Sequence, residues 1–349
     1  MSQRNCGRGF TLVELLAVLA ILAIVVALLV PAILKTREAA RCATCSGRLC
    51  QLAMAFSNFE STNKHLPPSS GVTKDATGKI TAIDGWSFYV PLLPHLELNT
   101  LYGTLNAANG RPLIEPVGAE GTPHATALAT SFHQFLCPSS GVGPFVDSQT
   151  KMEAITNYKA LGATHIESLS VASADAQKPK YKPDIADAHP DGVCFPGSSS
   201  TTRGLRDGRS NTILVVETTE PRFARWTVGA EATLVGLPSN IEYERPANAN
   251  YFAPKGFDFE SAQNGKSKID PTYRTYLAWD YEKKPYDGGD GTKGGKYGPS
   301  SRHPGVVNHA FLDGSVHSIV RDVDVALYMF IITRDGGDPA NLFWEQQGR

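Results

Sequence analysis

"RGFTLVELLAVLAILAIVVALLVPAIL" occupies residues 8–34, and its reading decides the architecture of the chain. Residues 15–34 carry no charge. At ~1.5 Å per residue, about 20 such residues cross ~30 Å of hydrocarbon as a helix. A secretory signal peptide has a shorter apolar core followed by a small-residue cleavage site. This run ends instead in Val30-Pro31-Ala32-Ile33-Leu34-Lys35, so the apolar segment is expected to stay in the protein. One acid, Glu14, stands at its edge. With Thr11 it forms a T-x-x-E capping box, in which hydroxyl and carboxylate satisfy the orphan amides of a helix start and the acid is favoured by the helix dipole.

The segment Gly9-Phe10-Thr11-Leu12-Val13-Glu14, behind a short leader with Arg4 and Arg8, resembles the processing site of type IV prepilins and pseudopilins. The resemblance implies cleavage between Gly9 and Phe10 by a membrane-bound prepilin peptidase and N-methylation of Phe10. It also gives Glu14 a second reading, as the partner of the freed Phe10 amine on a neighbouring subunit. An ionisable group in a membrane segment is a functional hypothesis by default. Pro31 stands where many pilins carry a helix-kinking proline. Flanking charge alone leaves orientation open, because Lys35, Arg37 and Arg41 follow the span as Arg4 and Arg8 precede it. The resemblance places the leader in the cytoplasm and the rest of the chain in the periplasm or at the cell surface, anchored in the inner membrane.

After the span, Leu49, Leu52, Ala53, Phe56 and Phe59 recur at helical spacing among charged residues, so the helix is expected to continue until Leu66-Pro67-Pro68 stops it. The expected division is a leader (1–9), a transmembrane helix (10–34), its amphipathic continuation (35–63) and a β-rich globular part (64–349). The expected fold class is α+β, a long N-terminal helix on an antiparallel sheet, as in pilins. The 32 Gly and 23 Pro suit such a turn-rich body. Strands are expected at 87–93, 211–217, 306–312 and 315–320, and long insertions at 164–191 and 238–299. With 33 basic against 34 acidic residues, nothing in the overall charge points to nucleic acid.

Six blocks, "RCATCSGRLCQLAMAFSNFESTNKHLPP", "WSFYVPLLPHLELNTLY", "FLCPSS", "TNYKALGAT", "DGRSNTILVVE" and "SRHPGVVNHAFLDGSVHSI", follow one another along the chain. Their order is similar to that in a large prepilin-like family of planctomycete-type bacteria with a C-terminal His-x9-Asp-Gly signature. That family is a domain of unknown function sometimes grouped by name with bacterial solute-binding proteins. Here the signature is His303, Asp313 and Gly314. Read from the residues, Asp313-Gly314 is expected to be a two-residue type I′ hairpin turn, and His303 a sheet-end hydrogen-bonding residue or a ligand.

The resemblance also implies a disulfide between Cys45 and Cys137, stapling helix to sheet domain. Such a bond is worth at most about 4 to 5 kcal/mol in the chain-entropy model. Cys42-x-x-Cys45 has minority readings as a redox pair or half a zinc site, though neither a thioredoxin-like context nor a second CxxC is present. The partners of Cys42, Cys50 and Cys194 stay open. The glycine-rich acid loop "YDGGDGTKGGKYG" offers Asp287 and Asp290 as calcium candidates, but its spacing fails the EF-hand pattern and a solvated loop is the plainer reading. No cofactor is expected otherwise. Of the scattered histidines, His303, His309 and His317 are nearest one another, and two of them on opposite hairpin strands could approach as a metal site, with surface coincidence the plainer reading.

GxSxG, HExxH and Walker A motifs are all missing, since Gly265-Lys266-Ser267 has Glu260 at the first glycine position. The expected function is therefore non-enzymatic. The chain reads as a pilin-like exported protein serving in, or beside, a pilus or secretion assembly with other pilin-like subunits. The alternative keeps the N-terminus for export and anchoring only, with a globular part that binds a solute, a glycan or another surface protein.

Overall fold

The computed structural model describes residues 11–74, 76, 80–82, 85–106, 128–141, 143–145, 153–164, 191–198, 200–201, 205–219, 224–236, 243–244, 253–254, 298–321, 323–334, 337 and 343–344. Gly9 and Phe10, the acid loop with Asp287 and Asp290, and most of the two expected insertions lie outside these residues.

Helix α1 runs without interruption over Leu12–Asn63, through Pro31. It belongs to two compact units, Met1–Ala43 and Thr44–Arg349. In the first unit the apolar side chains of the helix, Leu12, Val13, Leu15, Leu16 and onward to Leu34, are exposed on every face. A helix that is apolar all round is stable only where lipid or other helices cover it. In the second unit the pattern changes to a stripe, with Cys45, Leu49, Leu52, Ala53, Ala55 and Phe56 buried and Phe59 partly so. The helix stops where Leu66-Pro67-Pro68 leads it to. Lys64 turns to φ 66° and its amide closes the last turn on the Glu60 carbonyl at 2.8 Å, the αL ending of a helix C-terminus made here without glycine.

Among the described residues, the other strands and α-helices are β1 (Thr73–Lys74) and β2 (Ile80–Ala82), α2 (Tyr89–Leu92), α3 (Asn99–Asn106), β3 (Tyr158–Ala163), β4 (Ile213–Glu217), β5 (Thr233–Val235), β6 (Tyr243–Glu244), β7 (Ala253–Pro254), β8 (Val306–Phe311), β9 (Val316–Val320) and α4 (Val325–Phe330). Five strands make the central sheet in the order β5-β3-β4-β8-β9. All its neighbours are antiparallel except β3 with β5. Its side chains divide between two cores. On one side Tyr158, Ala160, Leu214 and Ala310 pack with Leu49, Leu52 and Phe56 of α1. On the other, Leu161, Ile213, Val216, Val307, Phe311 and Ile319 pack with Ala326, Leu327 and Tyr328 of α4. The head is thus a mostly antiparallel sheet between two helical layers, an α+β arrangement of pilin type.

Three sequence expectations change here. Residues 87–93 are not a strand: Trp86 and Ser87 make isolated bridges to Val228 and Ser70, and the chain then turns into α2 and a 3-10 helix over Leu93–Leu96. Pro91 and Pro94 have no amide for a ladder, whereas Pro91 fits the first turn of a helix, where amides are unpaired anyway. Strands β3 and β5 lie outside the expected strands: β3, Tyr-Lys-Ala-Leu-Gly-Ala, is rich in Ala and Gly, which have little strand propensity, and β5 is only three residues long. The β8–β9 turn is not type I′. Only Gly314 has positive φ, at 91°. Phe311 pairs with Ser315 (N to O, 2.8 Å) and Gly314 N donates to Phe311 O at 3.0 Å. The loop is therefore three residues, Leu312-Asp313-Gly314, of the kind that ends in an αL glycine. Asp313 keeps negative φ and accepts from the Ser315 amide (2.9 Å) and hydroxyl (2.6 Å).

Phe56 is fully buried, while Met54, two residues away, is half exposed. Phe56→Ala is expected to destabilise the head by about 3–5 kcal/mol, and Met54→Ala by well under about 1 kcal/mol. Denaturant unfolding followed by tryptophan fluorescence measures both.

Candidate functional site

Two places hold the residues singled out from sequence, and each lies within one compact unit. The first is the start of α1. Thr11 is the N-cap residue, and the box is reciprocal: the Glu14 carboxylate accepts from the Thr11 amide at 2.9 Å and hydroxyl at 2.8 Å, while the Glu14 amide donates back to the Thr11 hydroxyl at 3.3 Å. The capping reading of Glu14 describes what this helix does within one chain.

The second is a buried polar cluster in the head. Cys45 of α1 and Cys137 are joined by a disulfide with Cα atoms 5.4 Å apart, so Cys45 is paired with Cys137 and not with Cys42 along the helix. Cys42, Cys50 and Cys194 are thiols. Cys194 is buried, its Sγ 3.4 Å from the Pro67 carbonyl, and burial pushes its thiol up.

Around the disulfide stand His303 and Glu217, both buried. His303 Nε2 lies 3.5 Å from Cys137 Sγ and 3.5 Å from Glu217 Oε1. The donor atoms of Cys45, Cys137, Glu217 and His303 all fall within 4.8 Å of one another. Each is fixed by its own element. Asn157, just before β3, accepts from the Cys137 amide at 2.8 Å and donates to the Thr218 carbonyl at 3.2 Å, so the "TNY" block holds the "FLC" block in place. Glu217 ends β4 opposite Tyr158, and its carboxylate accepts from the Asn308 amide (3.1 Å) and side chain (3.2 Å) on β8. His303 is held by its amide on Ser301 Oγ (3.1 Å), and its carbonyl accepts from Arg321 at 3.1 Å. Arg48, one turn along α1 from Cys45, donates to the Leu136 carbonyl. Burial, with Glu217 alongside and Arg48 opposing, pushes the Tyr158 phenol up, so it stays protonated.

The three family-signature residues are therefore separated. His303 belongs to the disulfide cluster, and Asp313 with Gly314 shapes the hairpin turn. That turn is tied to the "DGRSN" block: Leu312 N donates to Thr212 O and Asp313 N to Arg209 O, while Arg209 bridges the Leu312 carbonyl (3.1 Å) and Glu60 of α1 (3.0 Å). His309 and His317 do not join His303. They face each other across β8 and β9, and His309 points into the α4 side, where its Nδ1 is 2.9 Å from the Val307 carbonyl and its Nε2 2.9 Å from the Tyr328 hydroxyl. A carbonyl only accepts, so Nδ1 carries the proton and Nε2 accepts from Tyr328. Burial, with His317 nearby, lowers the His309 pKa to about 3 against a favourable bond to Val307.

Sequence reasoning missed Glu217, Asn157, Tyr158, Arg48 and Asn308. The available signal was a carboxylate closing the otherwise apolar run "ILVVE", since a charge at the end of a buried strand requires partners.

In the comparisons with known proteins, the family model described as "Protein of unknown function (DUF1559)" matches residues 35–326. The model of the prokaryotic N-terminal methylation motif matches residues 4–30. No match to a curated protein or to a solved structure was found.

The disulfide closes a separation of 92 residues. Changing both Cys45 and Cys137 to Ser is expected to lower head stability by up to about 4 to 5 kcal/mol, read as a fall in the urea midpoint relative to the oxidised wild type. His309 gives a pH signature. It is neutral in the folded state down to about pH 3, whereas unfolded histidine protonates near pH ~6.5. Its contribution is therefore complete above about pH 6.5 and is lost as pH falls towards about 3, a loss of order a few kcal/mol. His309→Gln should flatten the stability-against-pH curve by about one proton in that window, measured by denaturant titrations across the range.

Proposed function

Because the chain belongs to the DUF1559 family of proteins of unknown function and carries a prokaryotic N-terminal methylation motif, we propose that it is an exported pilin-like subunit or accessory of a pilus or secretion assembly. In this reading prepilin peptidase cuts between Gly9 and Phe10, Phe10 is methylated, and the inner membrane holds the apolar part of α1. The observation that carries it is the coincidence, on one helix start, of the methylation motif, the Thr11–Glu14 box and a span of exposed apolar residues that extends to Leu34. Neighbouring apolar helices of pilin-like subunits would cover the surface that lipid covers before assembly. Glu14 would then serve twice, capping its own helix and neutralising the Phe10 amine of the next subunit, since either charge alone in hydrocarbon costs several kcal/mol. The head is assigned a structural role and no reaction.

A second reading, in which the N-terminus serves export and anchoring while the head binds a solute, glycan or surface protein, is favoured by the size of the head unit, Thr44–Arg349.

Expressing the chain with and without prepilin peptidase tests the processing step. The expected result is a mature N-terminus at Phe10 only when the peptidase is present, and Gly9→Val should abolish it. Uncleaved protein in both strains would overturn the class of the protein. Glu14→Ala should leave cleavage intact and reduce sheared polymer about tenfold or more. Glu14→Gln should behave alike in assembly while keeping the helix cap, because an amide oxygen still accepts from Thr11 but carries no charge. Cleaved wild-type chain that never enters a sheared polymer would favour the anchored binding head.

A further inference from the structure

The head presents two sulfurs, an imidazole nitrogen and a carboxylate oxygen at one buried point, supplied by α1, the "FLC" loop, β4 and the segment before β8. We propose that, with the Cys45–Cys137 bond reduced, these four residues form a closed zinc(II) site in which Cys45 Sγ, Cys137 Sγ, His303 Nε2 and Glu217 Oε1 are the ligands. The proposal is independent of the pilin reading, since it concerns the head alone.

Geometry supports it first. A tetrahedral zinc with bonds of about 2.3 Å to sulfur and about 2.0–2.1 Å to nitrogen and oxygen has a sulfur-to-nitrogen edge of roughly 3.5 Å and a nitrogen-to-oxygen edge of roughly 3.4 Å. The two corresponding separations, His303 Nε2 to Cys137 Sγ and to Glu217 Oε1, are both 3.5 Å. The remaining donor is Cys45 Sγ, and every pair lies within 4.8 Å. Cleaving the disulfide lets the two sulfurs part to the roughly 3.8 Å that two thiolates on one zinc require.

The donor set supports it next. Two thiolates and an imidazole select zinc over calcium or magnesium, which take oxygen ligands. Four protein ligands and complete burial describe a structural site without an open position for substrate. The carboxylate is already oriented, because Asn308 donates to both its oxygens, the outer support that metal-binding carboxylates need. Charge is consistent too. Two thiolates and a carboxylate cannot be buried side by side without a cation. A divalent ion leaves one negative charge, and the Arg48 guanidinium, which donates to the Leu136 carbonyl beside Cys137, offsets it.

The two states exchange by balanced chemistry. A thiol or phosphine reductant delivers two electrons to the S–S bond, two thiols form, and zinc displaces their two protons. An oxidising disulfide removes two electrons from the thiolates, the S–S bond re-forms, and zinc leaves. The cluster thus has two ways of tying α1 to the sheet, one covalent and one through a metal.

The test uses the full-length chain in detergent, reduced with a phosphine while unfolded, then refolded with zinc(II) or cobalt(II). The expected result is about one zinc per folded, reduced chain by elemental mass spectrometry, and under about a tenth of that in the oxidised chain. Cobalt should give the thiolate charge-transfer band and the intense visible bands of a tetrahedral site in the wild-type protein itself, which requires no variant to fold. His303→Ala and Glu217→Gln should each weaken zinc binding tenfold or more. Added disulfide oxidant should release zinc in step with the loss of two thiols. A reduced chain that folds with both thiols free and takes up no zinc overturns the site. So does a reduced chain that fails to refold in zinc, or zinc uptake that neither His303→Ala nor Glu217→Gln weakens.

Discussion

One helix answers to two environments, and the head is built around the point where its pattern changes. Up to Leu34 the apolar residues of α1 go all the way round, a surface that only lipid or other helices can cover. From Cys45 onward they narrow to a stripe, Leu49, Leu52, Ala53 and Phe56, which makes one wall of the head's core. A stripe of this kind is stable only when another apolar face meets it, and Tyr158, Ala160, Leu214 and Ala310 of the sheet supply that face. Without the helix, that face of the sheet would lose the apolar stripe that packs on it.

The polar residues reinforce the same junction. Cys45 is bonded to Cys137, Arg48 reaches the Leu136 carbonyl, and Glu60 pairs with Arg209, which also holds the β8–β9 turn. These links are spaced along the helix from its first buried turn to nearly its last. They fix its position along the sheet as well as its rotation, which packing of interchangeable aliphatic side chains leaves loosely defined. The blocks that mark the family are accordingly framework: "TNY" positions the Cys137 loop, "DGRSN" clamps the hairpin and the helix end, and Asp313-Gly314 makes the turn.

Legibility followed the range of the interactions. The helix end before Leu66-Pro67-Pro68, the capping box, and strands β4, β8 and β9 rest on neighbours in sequence, so spacing revealed them. The segment holding Pro91 and Pro94 reads as a strand from its aromatic residues Phe88 and Tyr89, but its two missing amides keep it out of a ladder. Strand β3 carries Ala160, Gly162 and Ala163 where β4 carries Ile213, Val215 and Val216, so its strand propensity is weak and only its neighbours in the sheet make it a strand. The Asp313-Gly314 turn falls where expected but is a three-residue loop rather than type I′, with Asp313 bonded to Ser315 and Thr212 to Leu312.

The sequence by itself determined the membrane-length apolar helix, its capped start, its amphipathic continuation and the hairpin, because each depends on periodicity or on partners a few residues away. Only the tertiary structure decided that His303 and Glu217 meet at the Cys45–Cys137 bond while His309 and His317 do not join them. The reason is physical: those four residues come from four separate segments, and nothing in local spacing encodes which strand lies beside which, or which face of the sheet a side chain takes once bulges shift the register between β4 and its neighbour β8.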